Sequence, residues 1–203
     1  MRTFLQLLTS FLFISVVYAQ NINVSGNDIF DGEPYLSIDP NNQQHLIVSW
    51  MGLELGEKIT IKSSVSEDGG LTWAIPVWMP HEVLNNSSAD VSMGYDNNGN
   101  LFMAYIDYDN VSFQNGGVYV RKSSDGGYNW GNSVEAVSIA DCPNKLCVDR
   151  PWMVIDRSGG LNDGTIYITS MNANQPTMVT PPYNPYLTVS VDNGTSFLTP
   201  TFP

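Results

Sequence analysis

Hydrophobic and polar residues alternate along short segments of the chain, and turn residues separate these segments. In the first part of the chain this alternation predicts four β-strands, because successive side chains of a strand point to opposite faces. The strands are predicted at residues 35–39, 45–50, 58–65 and 73–78. Helix signals are essentially absent, so the pattern predicts an all-β fold.

The same plan occurs twice more along the chain. The second unit has predicted strands at residues 91–96, 101–106, 118–123 and 134–138, and the third at residues 152–156, 165–170 and 186–191. An aspartate ends the first strand of each unit, and Asp39 and Asp96 are 57 residues apart. A period of this size suits one blade of a β-propeller, which buries its faces against neighbouring blades.

An eight-residue motif follows the third strand of each unit. It reads SEDGGLTW at residues 66–73, SSDGGYNW at 123–130 and SVDNGTSF at 190–197. These residues suit a hairpin turn, because the aspartate carboxylate accepts backbone N–H bonds and glycine adopts a positive φ. The recurring residues are Ser66, Asp68, Gly70, Trp73, Ser123, Asp125, Gly127, Trp130, Ser190, Asp192, Gly194 and Phe197.

The octapeptide resembles the Asp-box, or bacterial neuraminidase repeat, of sialidase-like β-propellers. The resemblance implies four-stranded antiparallel blades, of which about three are present here, in a propeller that would have six when complete. It also implies that each box is a structural turn on the face away from the active site. Three blades do not close a ring, so we expect a longer parent protein. The alternative is a second chain that covers the open faces.

Residues 1–19 have the features of a secretory signal peptide, which leaves residues 20–203 for the propeller. An apolar run at residues 11–17 precedes a small-residue cleavage site. No other segment approaches the roughly 20 apolar residues of a membrane span. The sequence therefore predicts a secreted protein. In an oxidising compartment Cys142 and Cys147 are expected to form a disulfide, and two reduced apolar side chains are the alternative.

The chain is strongly acidic, with 20 Asp and Glu against 8 Lys and Arg and a formal net charge of −12. This balance argues against nucleic acid or an anionic membrane as a partner, because both require clustered positive charge. It permits Ca²⁺ binding, although solubility alone is the simpler explanation of the acidity. The isolated His45 and His81 do not indicate a zinc site. No other cofactor is predicted.

The loops at one end of the blades carry the candidate ligand-binding residues. In the predicted topology the starts of the first strands and the loops after the second strands share this end. The candidates are Glu33, Asp90, Asp149, Arg150, Asp107 and Asp109, with residues 173–185 expected to lie over them. Alternatively, the acids are solvated loop residues or turn caps, and Arg150 pairs with a neighbouring carboxylate.

Resemblance to sialidases implies three arginines for the substrate carboxylate, an Asp acid/base and a Tyr nucleophile assisted by Glu. The first arginine of that family stands in an Arg-Ile-Pro or Arg-Leu-Pro motif, where this chain has Gly32, Glu33 and Pro34. Arg121 falls inside a strand and Arg157 in the opposite turn, so Arg150 is the only arginine expected at the ligand end. The arginine triad therefore cannot be assembled from this sequence.

Two functions remain open from the sequence. The first is a secreted exo-glycosidase of the sialidase-like type that acts on extracellular glycans or glycoproteins. The second is a noncatalytic propeller module that binds glycans or proteins. The carboxylates at the ligand end could serve as a glycosidase acid and base, whereas a binding module needs only their hydrogen bonds.

Overall fold

The computed structural model describes residues 21–26, 29–53, 58–112, 115–141, 148–171 and 185–199. The predicted signal peptide and the cysteines Cys142 and Cys147 lie outside the described residues. Almost all of the loop expected over the ligand end, residues 173–185, also lies outside them. The predictions made for these segments remain predictions.

The first sheet, blade 1, contains four antiparallel strands in the order in which they occur along the chain. They are β1 (Phe30–Asp39), β2 (Asn42–Leu53), β3 (Thr60–Ser66) and β4 (Val77–Trp78). Strand β1 begins five residues before its predicted start, because the chain pairs with β2 on both sides of an irregularity after Gly32. Strand β4 retains only the last two residues of its predicted range.

Two further sheets repeat this plan. Blade 2 contains β5 (Ser87–Tyr95), β6 (Leu101–Tyr108), β7 (Gly116–Ser123) and β8 (Val134–Ser138). A single 3₁₀ turn, Ile139–Asp141, follows β8. The described part of blade 3 contains β9 (Asp149–Ile155), β10 (Ile166–Met171) and β11 (Pro185–Ser190). The all-β fold of antiparallel blades is thus confirmed, with no α-helix in the described ranges.

The blades are held together by two separate apolar cores, each formed between neighbouring sheets. The first core lies between blades 1 and 2 and includes Ile47, Ile61, Met103 and Tyr105. The second lies between blades 2 and 3 and includes Phe102, Val118, Met153, Ile166 and Ile168. Blade 2 contributes alternate residues of β6 to the two cores, because successive side chains of a strand point to opposite faces. This sheet is consequently buried on both faces.

The three octapeptides form equivalent hydrogen-bonded turns. In the first, the hydroxyl of Ser66 accepts the N–H of Gly70 at 2.8 Å, and Asp68 accepts the N–H of Thr72 at 2.8 Å. The corresponding serine bonds in the second and third turns are both 2.9 Å, and the aspartate bonds are 2.9 and 3.0 Å. These bonds hold the pKa of Asp68 at about 2, because the Thr72 hydroxyl and N–H stabilise the carboxylate.

The closing aromatic residues link one blade to the next. Trp130 of the second turn donates from Nε1 to the hydroxyl of Ser63 in blade 1 at 3.2 Å. Phe197 of the third turn packs against the core between blades 2 and 3. Trp73 of the first turn bonds instead to the carbonyl oxygen of Gly70 in its own turn. Each later turn therefore docks onto the preceding blade.

The outward faces of blades 1 and 3 expose large apolar side chains. Leu36 and Ile38 of β1 are 53% and 48% exposed, and Val154 of β9 and Leu187 of β11 are 58% and 52% exposed. Side chains of this kind are buried in blade 2, which has a neighbour on each side. In the described residues, no helix is long and apolar enough to cross a membrane.

Candidate functional site

Each inner strand carries a β-bulge at the same place near its start. In β1 the pairing with β2 shifts between Gly32 and Tyr35, and in β5 the pairing with β6 shifts between Ala89 and Ser92. In β9 a shift occurs opposite the step from Thr169 to Met171. In every case two residues of the inner strand lie opposite one residue of its partner, which defines a bulge.

The first residue of each bulge has a left-handed backbone although it is not glycine. The φ angles are 50° for Glu33, 56° for Asp90 and 48° for Arg150. Glycine is the usual residue at such a position, and another residue costs roughly 1–3 kcal/mol. Three charged side chains occupy three equivalent strained positions. Strain of this kind is typical of functional sites.

The bulges bring the charged side chains of three blades together. The side chain of Glu33 is hydrogen-bonded to that of Asp90, and Arg150 donates its backbone N–H to Oδ2 of Asp90 at 3.3 Å. Asp149 lies next to Arg150 and interacts electrostatically with Asp90. We call Glu33, Asp90 and Asp149 the carboxyl cluster. Four of the six predicted ligand residues therefore meet at one end of the blades.

Two members of the carboxyl cluster, Glu33 and Asp149, have raised pKa values. The hydrogen bond to Asp90, followed by burial and the negative charge of Asp90, raises the pKa of Glu33 to about 7. Burial and the charge of Asp90 raise the pKa of Asp149 to about 6, against the opposing effect of Arg150. Neighbouring carboxylates resist simultaneous ionisation because their like charges repel. The site can thus supply a carboxylic acid near neutral pH.

Tyr108 is a residue of this region that the sequence did not single out as a candidate. It ends β6, and its side chain is half-buried near the carboxyl cluster. Burial, together with the charges of Asp90 and Asp149, raises the pKa of the Tyr108 hydroxyl. Its position directly after Asp107 at the ligand end is the sequence signal that could have identified it.

Asp107, which was also predicted to be a ligand-binding residue, does not belong to the carboxyl cluster. It is fully buried on the blade 1 side of β6. Its carboxylate accepts bonds from the side chains of Asn86 and Ser88, both at 2.7 Å. Alternation along β6 places this side chain in the interface between blades 1 and 2, where it is shielded from solvent.

Asp109 stabilises its own loop. Its carboxylate accepts the N–H groups of Val111 and Ser112 at 2.9 and 3.2 Å, and also the hydroxyl of Ser112. These bonds lower the pKa of Asp109. The arrangement is a turn cap, which was the alternative considered for this residue.

The other arginines lie where the sequence predicted. Arg121 is buried in β7, where it donates to Oε1 of Glu82 at 2.8 Å and to the hydroxyl of Tyr105 at 2.8 Å. Arg157 is exposed in the turn after β9. Arg150 is exposed at the ligand end. In the described part of the chain, three arginines do not converge on one ligand.

The described residues contain no group of three or more His, Cys, Asp or Glu side chains placed to hold a metal ion. The predicted possibility of Ca²⁺ therefore gains no support from the carboxyl cluster. His45 lies between a carboxylate and a carbonyl oxygen, and His81 contacts the buried Asp107. What the cluster offers chemically is proton donation and hydrogen bonding.

No protein-family model matches the sequence, and no curated protein matches it either. Several solved structures share its fold. A protein of unknown function from Dyadobacter fermentans has a TM-score of 0.59 and 16% identity, over 83% of this chain and 53% of that one. A Hadza microbial sialidase has a TM-score of 0.58 and 16% identity, over 83% of this chain and 37% of that one.

An endo-arabinase from Bacteroides thetaiotaomicron has a TM-score of 0.57 and 12% identity, over 85% of this chain and 60% of that one. This chain thus spans between about a third and three fifths of the proteins it resembles. Identities this low show the fold alone. The described residues form part of a β-propeller of the kind found in sialidases and other glycoside hydrolases.

Proposed function

We propose that this chain contributes the carboxyl cluster of a β-propeller glycoside hydrolase. The observation that carries the proposal is the meeting of Glu33, Asp90 and Asp149 at or directly beside the strained bulges of three blades, with the pKa of Glu33 raised to about 7. Glycosidases need one carboxylic acid and one carboxylate beside the scissile bond. Propeller structures that act on glycans, including a sialidase, an endo-arabinase and an exo-β-1,3-galactanase, support this choice of reaction.

In this proposal Glu33 is the general acid. Its proton passes to the glycosidic oxygen as the bond to the anomeric carbon breaks, and the bonding electrons leave with that oxygen. A water molecule then bonds to the anomeric carbon, and the proton that the water loses returns to the Glu33 carboxylate. Asp90 has two roles. It keeps Glu33 protonated before the reaction, and its negative charge stabilises the positive charge that develops on the sugar ring. Arg150 binds a sugar hydroxyl, because its exposed side chain presents hydrogen-bond donors at the ligand end.

The charge of the site indicates neutral sugars as substrates in preference to sialic acids. A sialic acid carries a carboxylate, which three clustered carboxyl groups repel and which Arg150 alone would have to hold. We therefore propose hydrolysis of neutral glycans outside the cell, after export directed by residues 1–19. In that compartment Cys142 and Cys147 would be joined.

The proposal is tested with fluorogenic α- and β-glycosides of arabinose, galactose, xylose and sialic acid on the full-length protein. We expect hydrolysis of at least one neutral glycoside, and Glu33→Gln should lower kcat/KM about 100-fold or more because it removes the general acid. The matched control is Glu135→Gln on the exposed edge of β8, which should leave the rate unchanged.

The pH dependence provides a second readout. A general acid must be protonated to act, so the rate should fall as the pH rises through about 7, the pKa of Glu33. In the Glu33→Gln variant, the residual rate should not show this decrease with rising pH. Activity that survives in Glu33→Gln with the same profile would refute the role of Glu33.

The second candidate function is a noncatalytic module that binds glycans or proteins. The specific observation in its favour is that Asp90 already accepts bonds from Glu33 and from the backbone of Arg150, which satisfies the cluster internally. Saturable binding of an oligosaccharide without hydrolysis of any glycoside in the panel would support this function and exclude the enzyme.

A further inference from the structure

His81 lies against a buried carboxylate at the interface between blades 1 and 2. Its Nδ1 is 2.9 Å from Oδ2 of Asp107 and 3.0 Å from the hydroxyl oxygen of Ser88. The side chain of Asp107 is 0% exposed, whereas that of His81 is 19% exposed. The histidine thus has one nitrogen facing the interior and part of its ring facing solvent.

The hydrogen bonds determine which nitrogen of His81 carries the proton. Ser88 donates its hydroxyl proton to Oδ2 of Asp107, and Asn86 donates to Oδ1, both at 2.7 Å. The oxygens of Ser88 and Asp107 that face Nδ1 therefore both act as acceptors, so Nδ1 must be the donor. In neutral imidazole the proton is then on Nδ1, and Nε2 keeps a lone pair.

Nε2 of His81 has no hydrogen-bond partner among the described residues. His45 provides a contrast. Its Nδ1 is 2.9 Å from Oε1 of Glu67, its Nε2 is 2.7 Å from the carbonyl oxygen of Gly126, and its side chain is 8% exposed. Both ring nitrogens of His45 have hydrogen-bond partners within the protein. In His81, the lone pair of Nε2 can still accept a hydrogen bond.

His81 also lies at the end of the blade that carries the carboxyl cluster. Its partner Ser88 pairs with Asp107 in the sheet and precedes the bulge residue Asp90 by two positions. Tyr108, the residue after Asp107, interacts electrostatically with both Asp90 and Asp149. His81 and the carboxyl cluster thus lie at the same end of blade 2.

We propose that His81 is a ligand-contact residue whose Nε2 accepts a hydrogen bond from a sugar hydroxyl. Asp107 is its positioning residue, because it holds the proton on Nδ1 and fixes the ring. The ligand class is a neutral, polyhydroxylated glycan, since a hydroxyl can donate to Nε2 and the neighbouring carboxylates favour hydroxyl groups over anions. This identification of the ligand rests on the proposed function, whereas the protonation state of His81 does not.

The experiment is two-dimensional ¹⁵N NMR of the histidine rings in the full-length protein, with His81 assigned through His81→Gln. In the neutral ring of His81 we expect the proton on Nδ1. Arabino-, galacto- and xylo-oligosaccharides are then titrated, and the one that binds should shift the Nε2 resonance of His81 and leave the ring of His45 unchanged. His81→Gln should weaken its binding about 10-fold, the value of one good hydrogen bond.

Asp107→Asn tests the positioning role. The asparagine amide can donate to Nδ1 of His81, so we expect the ring proton to move to Nε2. Nε2 could then no longer accept a bond, and oligosaccharide binding should weaken as much as in His81→Gln. If oligosaccharide binding depends on Glu33 but neither shifts His81 nor weakens in His81→Gln, the inference is wrong and the proposed function stands. If no oligosaccharide binds, both are refuted.

Discussion

At the scale of single residues, the molecule places charged side chains where glycine would cost less. Glu33, Asp90 and Arg150 all adopt φ angles near 50° at the first position of a bulge. Stability alone does not explain why charged residues occupy the same strained position in three blades. The strain is consistent with a ligand surface that needs charge at the start of each inner strand.

Glu33→Gly separates stability from function at this position. Glycine removes the steric strain and the repulsion from Asp90, while its greater freedom in the unfolded state offsets part of the gain. We expect the free energy of unfolding, measured with urea, to stay constant or rise by up to about 1 kcal/mol, with loss of glycoside hydrolysis. A decrease of more than about 1 kcal/mol would mean that Glu33 is a structural residue.

At the scale of the elements, the octapeptide turns join neighbouring blades as well as neighbouring strands. Gly126 and Gly127 of the second turn lie against β2 of blade 1, where His45 bonds to the carbonyl oxygen of Gly126. A Cβ atom on Gly127 would lie 2.2 Å from Cδ1 of Ile47 in the first core. The close approach of turn and strand therefore requires glycine.

Gly127→Ala should accordingly be strongly destabilising. Gly127 has a φ of 101°, so alanine adds backbone strain to the steric clash, and we expect a loss of about 2–4 kcal/mol. Gly159 is the matched control, because it has a φ of 69° and a Cβ atom there would meet no neighbouring side chain or backbone within 4 Å. Gly159→Ala should lose about 1 kcal/mol from backbone strain alone. Equal losses in urea unfolding would contradict the docking role of the second turn.

At the scale of the whole molecule, the two outer blades lack the cover that blade 2 has. Val154 of β9 is 58% exposed and lies on the outward face of blade 3, beside Trp152. A propeller buries such faces when its ring is closed. We therefore expect a further blade, or another chain, to cover this face in the functional protein.

Val154→Lys tests this expectation in the full-length protein. If a neighbour covers the face, the substitution should lower the free energy of unfolding by about 2–3 kcal/mol, because it loses buried apolar area and places a charge in an apolar interface. Leu161→Lys in the turn after β9, where the leucine is 101% exposed, should have little effect. An unchanged stability for Val154→Lys would show that the face stays open.

The sequence by itself determined the all-β class, the repeat of strands and the positions of the hairpin turns. These features are local, because alternation identifies a strand and an Asp followed by Gly at a fixed offset identifies a turn. It also placed Glu33, Asp90, Asp149 and Arg150 at the same end of their blades, because equivalent positions of a sequence repeat occupy equivalent positions in the folded blades.

Only the tertiary structure decided which of the acidic residues act together. Asp107 and Asp90 look alike in sequence, yet the alternation of β6 buries Asp107 between blades, and Asp90 at the bulge of β5 meets Glu33 of another blade. The raised pKa of Glu33 depends on Asp90 from another blade, and the proton position on His81 depends on bonds made by Ser88 and Asp107. Contacts between distant segments create these properties, so no local pattern could reveal them.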